Sequence, residues 1–98
     1  MKLKLRPEIQ CFPTWVARAG VYENVSPESL GVSATLAGAL SDWAHRWDAT
    51  YDLVNDPESP SFRSSAEERS FWEDGRKLAD RLQAELAAEW TVHFEPES

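Results

Sequence analysis

Histidine occurs twice and cysteine once in the 98 residues, and the only methionine is the first residue. A lone thiol cannot close an internal disulfide, so the fold must rest on its core; Cys11 reads as a small hydrophobe in a reducing compartment. The sequence also lacks HExxH, CxxC, a glycine-rich phosphate loop and a nucleophile elbow, which removes the recognised frames for metal, nucleotide and acyl-transfer chemistry. His45 and His93 fall on the polar sides of a predicted helix and strand and read as solvated groups, not catalytic bases. Carboxylates are plentiful, but pairs such as Glu67–Glu68 and Glu73–Asp74 are neighbours in a helical pattern. They point in different directions and make a poor acid–base pair. The expectation is no catalytic residue, no metal site and no cofactor, hence no enzyme. There is no run of about 18 apolar residues to span a bilayer, and "MKLKLRPEIQ" lacks the apolar stretch that follows the basic start of a signal peptide. A cytoplasmic protein without a membrane partner is expected.

What is abundant is negative charge. Seventeen acidic residues against ten basic ones give a formal net charge of −7 and an isoelectric point near 4.7. That balance disfavours a nucleic-acid backbone or an anionic membrane as partner and suits a basic protein. The charge is uneven: Lys2, Lys4, Arg6 and Arg18 make the start basic, whereas residues 40–58 carry Asp42, Asp48, Asp52, Asp56 and Glu58 against Arg46 alone. An acidic surface also keeps a small protein in solution, so charge by itself does not define a site. With 42% hydrophobic residues and five tryptophans, the composition is that of a globular chain, and its length fits a single domain over residues 1–98.

The local patterns alternate between two periods. "KLKLR" sets Leu3 and Leu5 against Lys2, Lys4 and Arg6, a strand with one buried face stopped by Pro7. Between Glu8 and Gly31 the pattern is broken by Pro13, Gly20, Pro27 and Gly31, although "QCF" and "TWV" or "GVY" can each form a short strand or hairpin. The aromatics of this segment, Phe12, Trp15 and Tyr22, are expected to pack as a roof over the core. A helix is predicted from an N-cap at Ser33 to about Leu53, ended by "NDPESPS". Its apolar stripe is Leu36, Leu40, Trp43, Trp47, Thr50, Tyr51 and Val54, with Ser41, His45, Asp48 and Asp52 opposite. Asp42 and Arg46 flank the stripe at the spacing of an ion pair worth a few tenths of a kcal/mol. A second helix opens on a capping box at Ser65–Glu68. Its face comprises Phe71, Gly75, Leu78, Ala79, Leu82 and Leu86, and Gly75 marks a close approach to the first helix. Finally "WTVHFE" alternates Trp90, Val92 and Phe94 with Thr91, His93 and Glu95, a last strand closed by Pro96.

Strand, helix, helix, strand in this order predicts an α+β fold. The expected form is a two-layer sandwich with a small antiparallel sheet, first and last strands paired, packed on an antiparallel pair of helices. Trp43 and Trp47 then belong to the core, while Trp72, at the edge of its stripe, is the helical tryptophan most open to contact. The candidate partner-binding surface is the outward acidic side: Asp48, Asp52, Asp56 and Glu58, with Phe62 and Trp72 as aromatic anchors. Acidic groups around an aromatic suit a cationic partner, because charges speed encounter and buried anchors supply affinity.

"LSDWAHRWDATYD", "NDPESPSF", "FWEDGRKLADRLQAEL" and "WTVHFEP", with the short basic first strand and the "CFP" segment, resemble a group of small acidic actinobacterial proteins. Those proteins are encoded beside polymorphic or contact-dependent growth inhibition toxins. The resemblance covers most of the chain and is weakest over residues 14–30. It implies an immunity protein that binds a cognate toxin domain, a nuclease or another basic toxin, as a monomer in a 1:1 complex, by covering its active site or its substrate path. Two other classes stand beside it. One is a regulatory or accessory protein-binding module, with a homodimer burying Trp72 or the loop aromatics as one form of it; the other is an enzyme whose first suspects are Asp48, Asp52 and His45.

Overall fold

A computed structural model describes residues 1–52 and 56–95, except for the side chains of Asp52 and residues 56–60. Strand β1 (Lys2–Leu5) alternates as its sequence does, with Leu3 and Leu5 fully buried. The broken segment after it holds a hairpin, β2 (Thr14–Arg18) and β3 (Val21–Val25), in which Arg18 lies opposite Val21. The two turn residues Ala19 and Gly20 both have positive φ, 50° and 80°, the requirement of a type I′ hairpin turn. Helix α1 (Ala34–Asp48) is capped as expected, Leu36 donating its N–H to the Ser33 hydroxyl at 3.1 Å.

Helix α1 ends five residues before the predicted Leu53. Thr50 turns its N–H and its hydroxyl onto the Trp47 carbonyl, and Tyr51 enters a short ribbon of β4 (Tyr51–Asp52) and β5 (Asp56–Pro60). The helical stripe is nonetheless right as a packing pattern: Leu36, Leu40, Trp43, Trp47 and Thr50 are buried, Tyr51 is half-buried, and Val54 lies outside the described residues. Helix α2 (Ser65–Glu85) starts one residue earlier than the predicted box, with Ser64 as the cap accepting from the Glu67 N–H. Strand β6 (Thr91–Phe94) is the last of the described elements.

Four strands form one sheet in the order β3-β2-β1-β6, and both helices pack on one of its faces, completing the α+β two-layer arrangement. The first and last strands do pair, Leu3 with Val92 and Leu5 with Phe94, but they run parallel, so the sheet is mixed and not antiparallel. The reason lies in the stretch before α1. Ser33 is held by Glu85 at the far end of α2, and Gln83 near that end bonds the beginning of β6. Asp48, at the other end of α1, bonds Gln10, just beyond the end of β1. The 3₁₀ turn Pro27–Leu30 lies along α1 and returns the chain to the end where β1 begins. Helix α1 therefore runs with β1, α2 runs back, and β6 must again run with β1.

The core joins the inner faces of the layers: Leu3, Leu5 and Val16 from the sheet, Leu36, Leu40, Trp43 and Trp47 from α1, Phe71, Leu78 and Leu82 from α2. Each such side chain removed from water contributes about 1.5–3 kcal/mol. Trp43 stacks on Phe71 with ring centres 4.6 Å apart and donates its indole N–H to the Phe71 carbonyl at 2.9 Å. Trp47, equally central, has an indole N–H with no acceptor among the described residues. Trp15 and Tyr22 do not roof this core. Their strand positions alternate with Thr14 and Val16, which face inward, so they stand on the opposite side of the sheet, where the Lys4 ammonium lies 4.2 Å from the Tyr22 ring centre. Phe12 is 50% exposed.

The outer edge of β6 is not left bare. The Gln83 side chain accepts from the Val92 N–H and donates to the Trp90 carbonyl, at 3.0 and 2.8 Å. A side-chain amide thus takes the place of a neighbouring strand, one way of blunting an edge against unwanted pairing.

Candidate functional site

The predicted acidic surface begins where α1 ends. Asp48 is half-buried there, and its carboxylate accepts the Gln10 N–H at 2.9 Å. Gln10 has φ of 57°, so this bond holds a left-handed bend in the β1–β2 connection. Asp48 therefore has a structural task as well as a charge to offer. Asp52, Asp56 and Glu58 all belong to the β4–β5 ribbon that leaves the same end of the helical layer; their side chains lie outside the described residues.

The ribbon is fixed at its base. Ser61 donates its N–H to the Thr50 carbonyl at 2.7 Å, and the rings of Tyr51 and Phe62 lie 5.7 and 6.2 Å from Trp47. Phe62 also meets Phe71 at 5.4 Å and is half-buried. The aromatic expected as an anchor is thus partly used to seat the ribbon on the core. Trp72 is half-buried too, in contact with the rings of Trp43, Trp47, Phe71 and Phe94. Backbone placement thus puts the ribbon acids, Phe62 and Trp72 at one end of the helical layer, around the C-terminus of α1 and the N-terminus of α2.

Arg46 does not pair with Asp42 as its spacing suggests. Its guanidinium reaches across to Asp74 on α2 at 2.7 Å and lies 5.5 Å from the Phe71 ring centre. Both partners are partly exposed, so the pair adds at most about 1 kcal/mol. It does tie the two helices beside the ribbon.

Two concavities flank this end, and neither is apparent from the sequence. One, of about 290 Å³, lies between the β1–β2 connection and α1 and is lined by Gln10, Cys11, Phe12, Ser41, His45 and Asp48. It brings the only thiol near a histidine and a carboxylate. Burial and the carboxylates of Glu8 and Asp48 raise the Cys11 pKa, however, whereas a nucleophilic cysteine needs it lowered. The other is a groove of about 380 Å³ on the outside of the helical pair. Its floor is Ala39, Trp43 and Leu78, and its rim carries Arg46, Lys77 and Arg81 among others. Lys77 and Arg81, four residues apart beside Leu78, were the available sequence signal; the groove itself depends on how the helices meet.

At the opposite end, Glu85 accepts from the Ser33 N–H and hydroxyl at 2.7 and 2.8 Å. These two donors lower its pKa. Helix α1 has no acid in its own first turn, and Glu85 supplies one from the neighbouring helix, where the helix dipole favours negative charge.

No described helix is long and apolar enough to cross a membrane. Among the described residues, no group of three or more His, Cys, Asp or Glu side chains is placed to hold a metal ion. The family model described as Serratia CdiI immunity protein-like matches residues 1–97 of the chain. No curated protein matches it.

Proposed function

Because the chain belongs to the Serratia CdiI immunity protein-like family, immunity proteins of contact-dependent growth inhibition, we propose that it neutralises one cognate toxin domain through the acidic end of its helical layer. The interface comprises the β4–β5 ribbon with Asp52, Asp56 and Glu58, the adjoining Asp48, and the half-buried rings of Phe62 and Trp72. The observation that carries this reading is the placement of the ribbon. Three acids fall on one short element seated on an aromatic cluster, in a chain whose formal charge is −7.

Such an arrangement suits a toxin with a basic cleft, as a nuclease requires to attract phosphate. Steering by opposite charge accelerates encounter, and the aromatic rings supply contact that excludes water. The acids then occupy the cleft or close the path to it, without any chemistry by the immunity protein. Binding is 1:1 with a monomer. The test is protection of cells expressing the toxin domain encoded beside the gene. Asp52→Lys with Asp56→Lys and Glu58→Lys should abolish protection while the variant still accumulates as a folded protein; full protection by that variant would move the interface elsewhere.

A second reading has one observation in its favour. Tyr22 is exposed on the outer face of the sheet, as expected of a module that self-associates there. Sedimentation across a concentration series decides this: a monomer throughout removes it.

A further inference from the structure

The groove between the helices has the opposite character to the rest of the surface. Its floor is apolar, with Trp43 and Leu78 almost fully buried and Ala39 half-buried. Three cations, Arg46, Lys77 and Arg81, stand around it against two acids, Asp42 and Asp74. Asp74 is already neutralised by Arg46 at 2.7 Å. Lys77 and Arg81 take part in none of the ion pairs among the described residues. Two exposed cations thus stand beside an apolar cleft without a contact ion pair among the described residues, Arg81 only favouring the charge of the nearby Glu85.

Position adds a second argument. The groove lies on the outer surface of α1 and α2, and its Arg46–Asp74 end adjoins the base of the ribbon, since Arg46 is one residue from Trp47, on which Tyr51 and Phe62 pack. A protein resting on the ribbon extends along the same helical face.

We propose that this groove is a second recognition point for the same toxin domain, taking an apolar side chain flanked by an acidic residue that pairs with Lys77 and Arg81. The inference rests on the toxin-binding reading and deepens it. The toxin surface would carry both signs, basic opposite the ribbon and acidic with an apolar knob opposite the groove. Alternating charge of this kind rejects toxins that share only the basic cleft, so the groove is the part of the interface that selects the partner.

The experiment is titration of the toxin domain encoded beside the gene into wild type and into Lys77→Glu/Arg81→Gln, with thermal unfolding as a control. Both side chains are exposed, and glutamine at 81 avoids a new acid beside Glu85. The double variant is three charge units more negative than the formal −7 of the wild type. If only overall charge mattered, a basic toxin would bind it equally or more tightly. Engagement of the groove predicts the opposite sign, a loss of about tenfold or more expressed chiefly as faster dissociation, with unfolding unchanged. Ala39→Arg, which fills the groove while adding a cation, is expected to weaken binding as well. Binding by Lys77→Glu/Arg81→Gln at or above wild-type strength overturns the proposal while leaving the ribbon reading intact. Failure of the wild type to bind the toxin domain overturns both.

Discussion

Gly75 is the position where one added methyl group reads out the packing of all three core elements. A Cβ built there lies 2.6 Å from Cζ2 of Trp43 on α1, and 2.7 and 2.9 Å from Cζ and Cε1 of Phe94 on β6. Carbon atoms in contact prefer about 3.5–4.0 Å, so roughly 1 Å must be found on two sides at once. Trp43 cannot easily retreat, because its indole N–H is bonded to the Phe71 carbonyl and its ring is stacked on Phe71. Phe94 is half-buried on an edge strand and is the side that yields. Overpacking of this kind costs about 1–3 kcal/mol, against about 1 kcal/mol gained by replacing glycine in a helix. The net expectation for Gly75→Ala is a loss of up to about 2 kcal/mol, or a Tm lower by up to about 10 °C for a domain of this size. Gly38 in α1 supplies the control, since a Cβ there meets nothing within 4 Å. Gly38→Ala should stabilise by nearly the full helical increment of about 1 kcal/mol. Urea and thermal unfolding, followed by circular dichroism, measure both. Stabilisation by both substitutions would refute the close approach at Gly75; so would a Gly75→Ala loss unrelieved by shortening Phe94 to leucine.

Other expectations follow from single contacts. Trp47→Phe should cost about 1–2 kcal/mol less than Trp43→Phe in urea unfolding, because it deletes a buried donor without a described acceptor, whereas Trp43→Phe deletes a bonded one. Ala19 occupies a left-handed turn position with φ of 50°; Ala19→Gly should therefore raise stability by about 0.5–1 kcal/mol, seen as a higher urea midpoint at unchanged slope. The Glu85 pKa is lowered by its two Ser33 donors, so its contribution is present above the ordinary glutamate range and is lost as pH falls through the depressed value. Glu85→Gln should lower Tm at pH 7 and have little effect near pH 2, and an equal loss at both would contradict the charged clamp.

The parts of the fold that could be read from sequence are those set by local periodicity. "KLKLR" and "WTVHFE" have a period of two and form β1 and β6; the Leu36-to-Trp47 and Phe71-to-Leu82 stripes have the helical period and face one another. The direction of β6 was not legible, because it depends on where the 3₁₀ turn after β3 delivers the chain, a matter of tertiary packing. The end of α1 was overrun for a related reason: Thr50 and Tyr51 continue the helical stripe in burial although the backbone has already left the helix. Among the candidate site residues, the acidity of the ribbon is plain from composition. The bond from Gln10 to Asp48 spans 38 positions and leaves no local signal. The seating of Phe62 on Trp47 and Phe71 likewise appears only once the chain has closed around it.

Immunity as proposed above rests on binding of the cognate toxin through a charged interface. Calorimetry of the purified chain against the toxin domain encoded beside its gene, at low and at high salt, tests it most directly. A 1:1 complex is expected, with an affinity that falls as salt rises, since exposed charges separated by more than about 10 Å are screened at 0.1 M. Absence of binding at both salts would contradict the proposed immunity function, and tight binding that ignores salt would contradict the acidic ribbon as its interface.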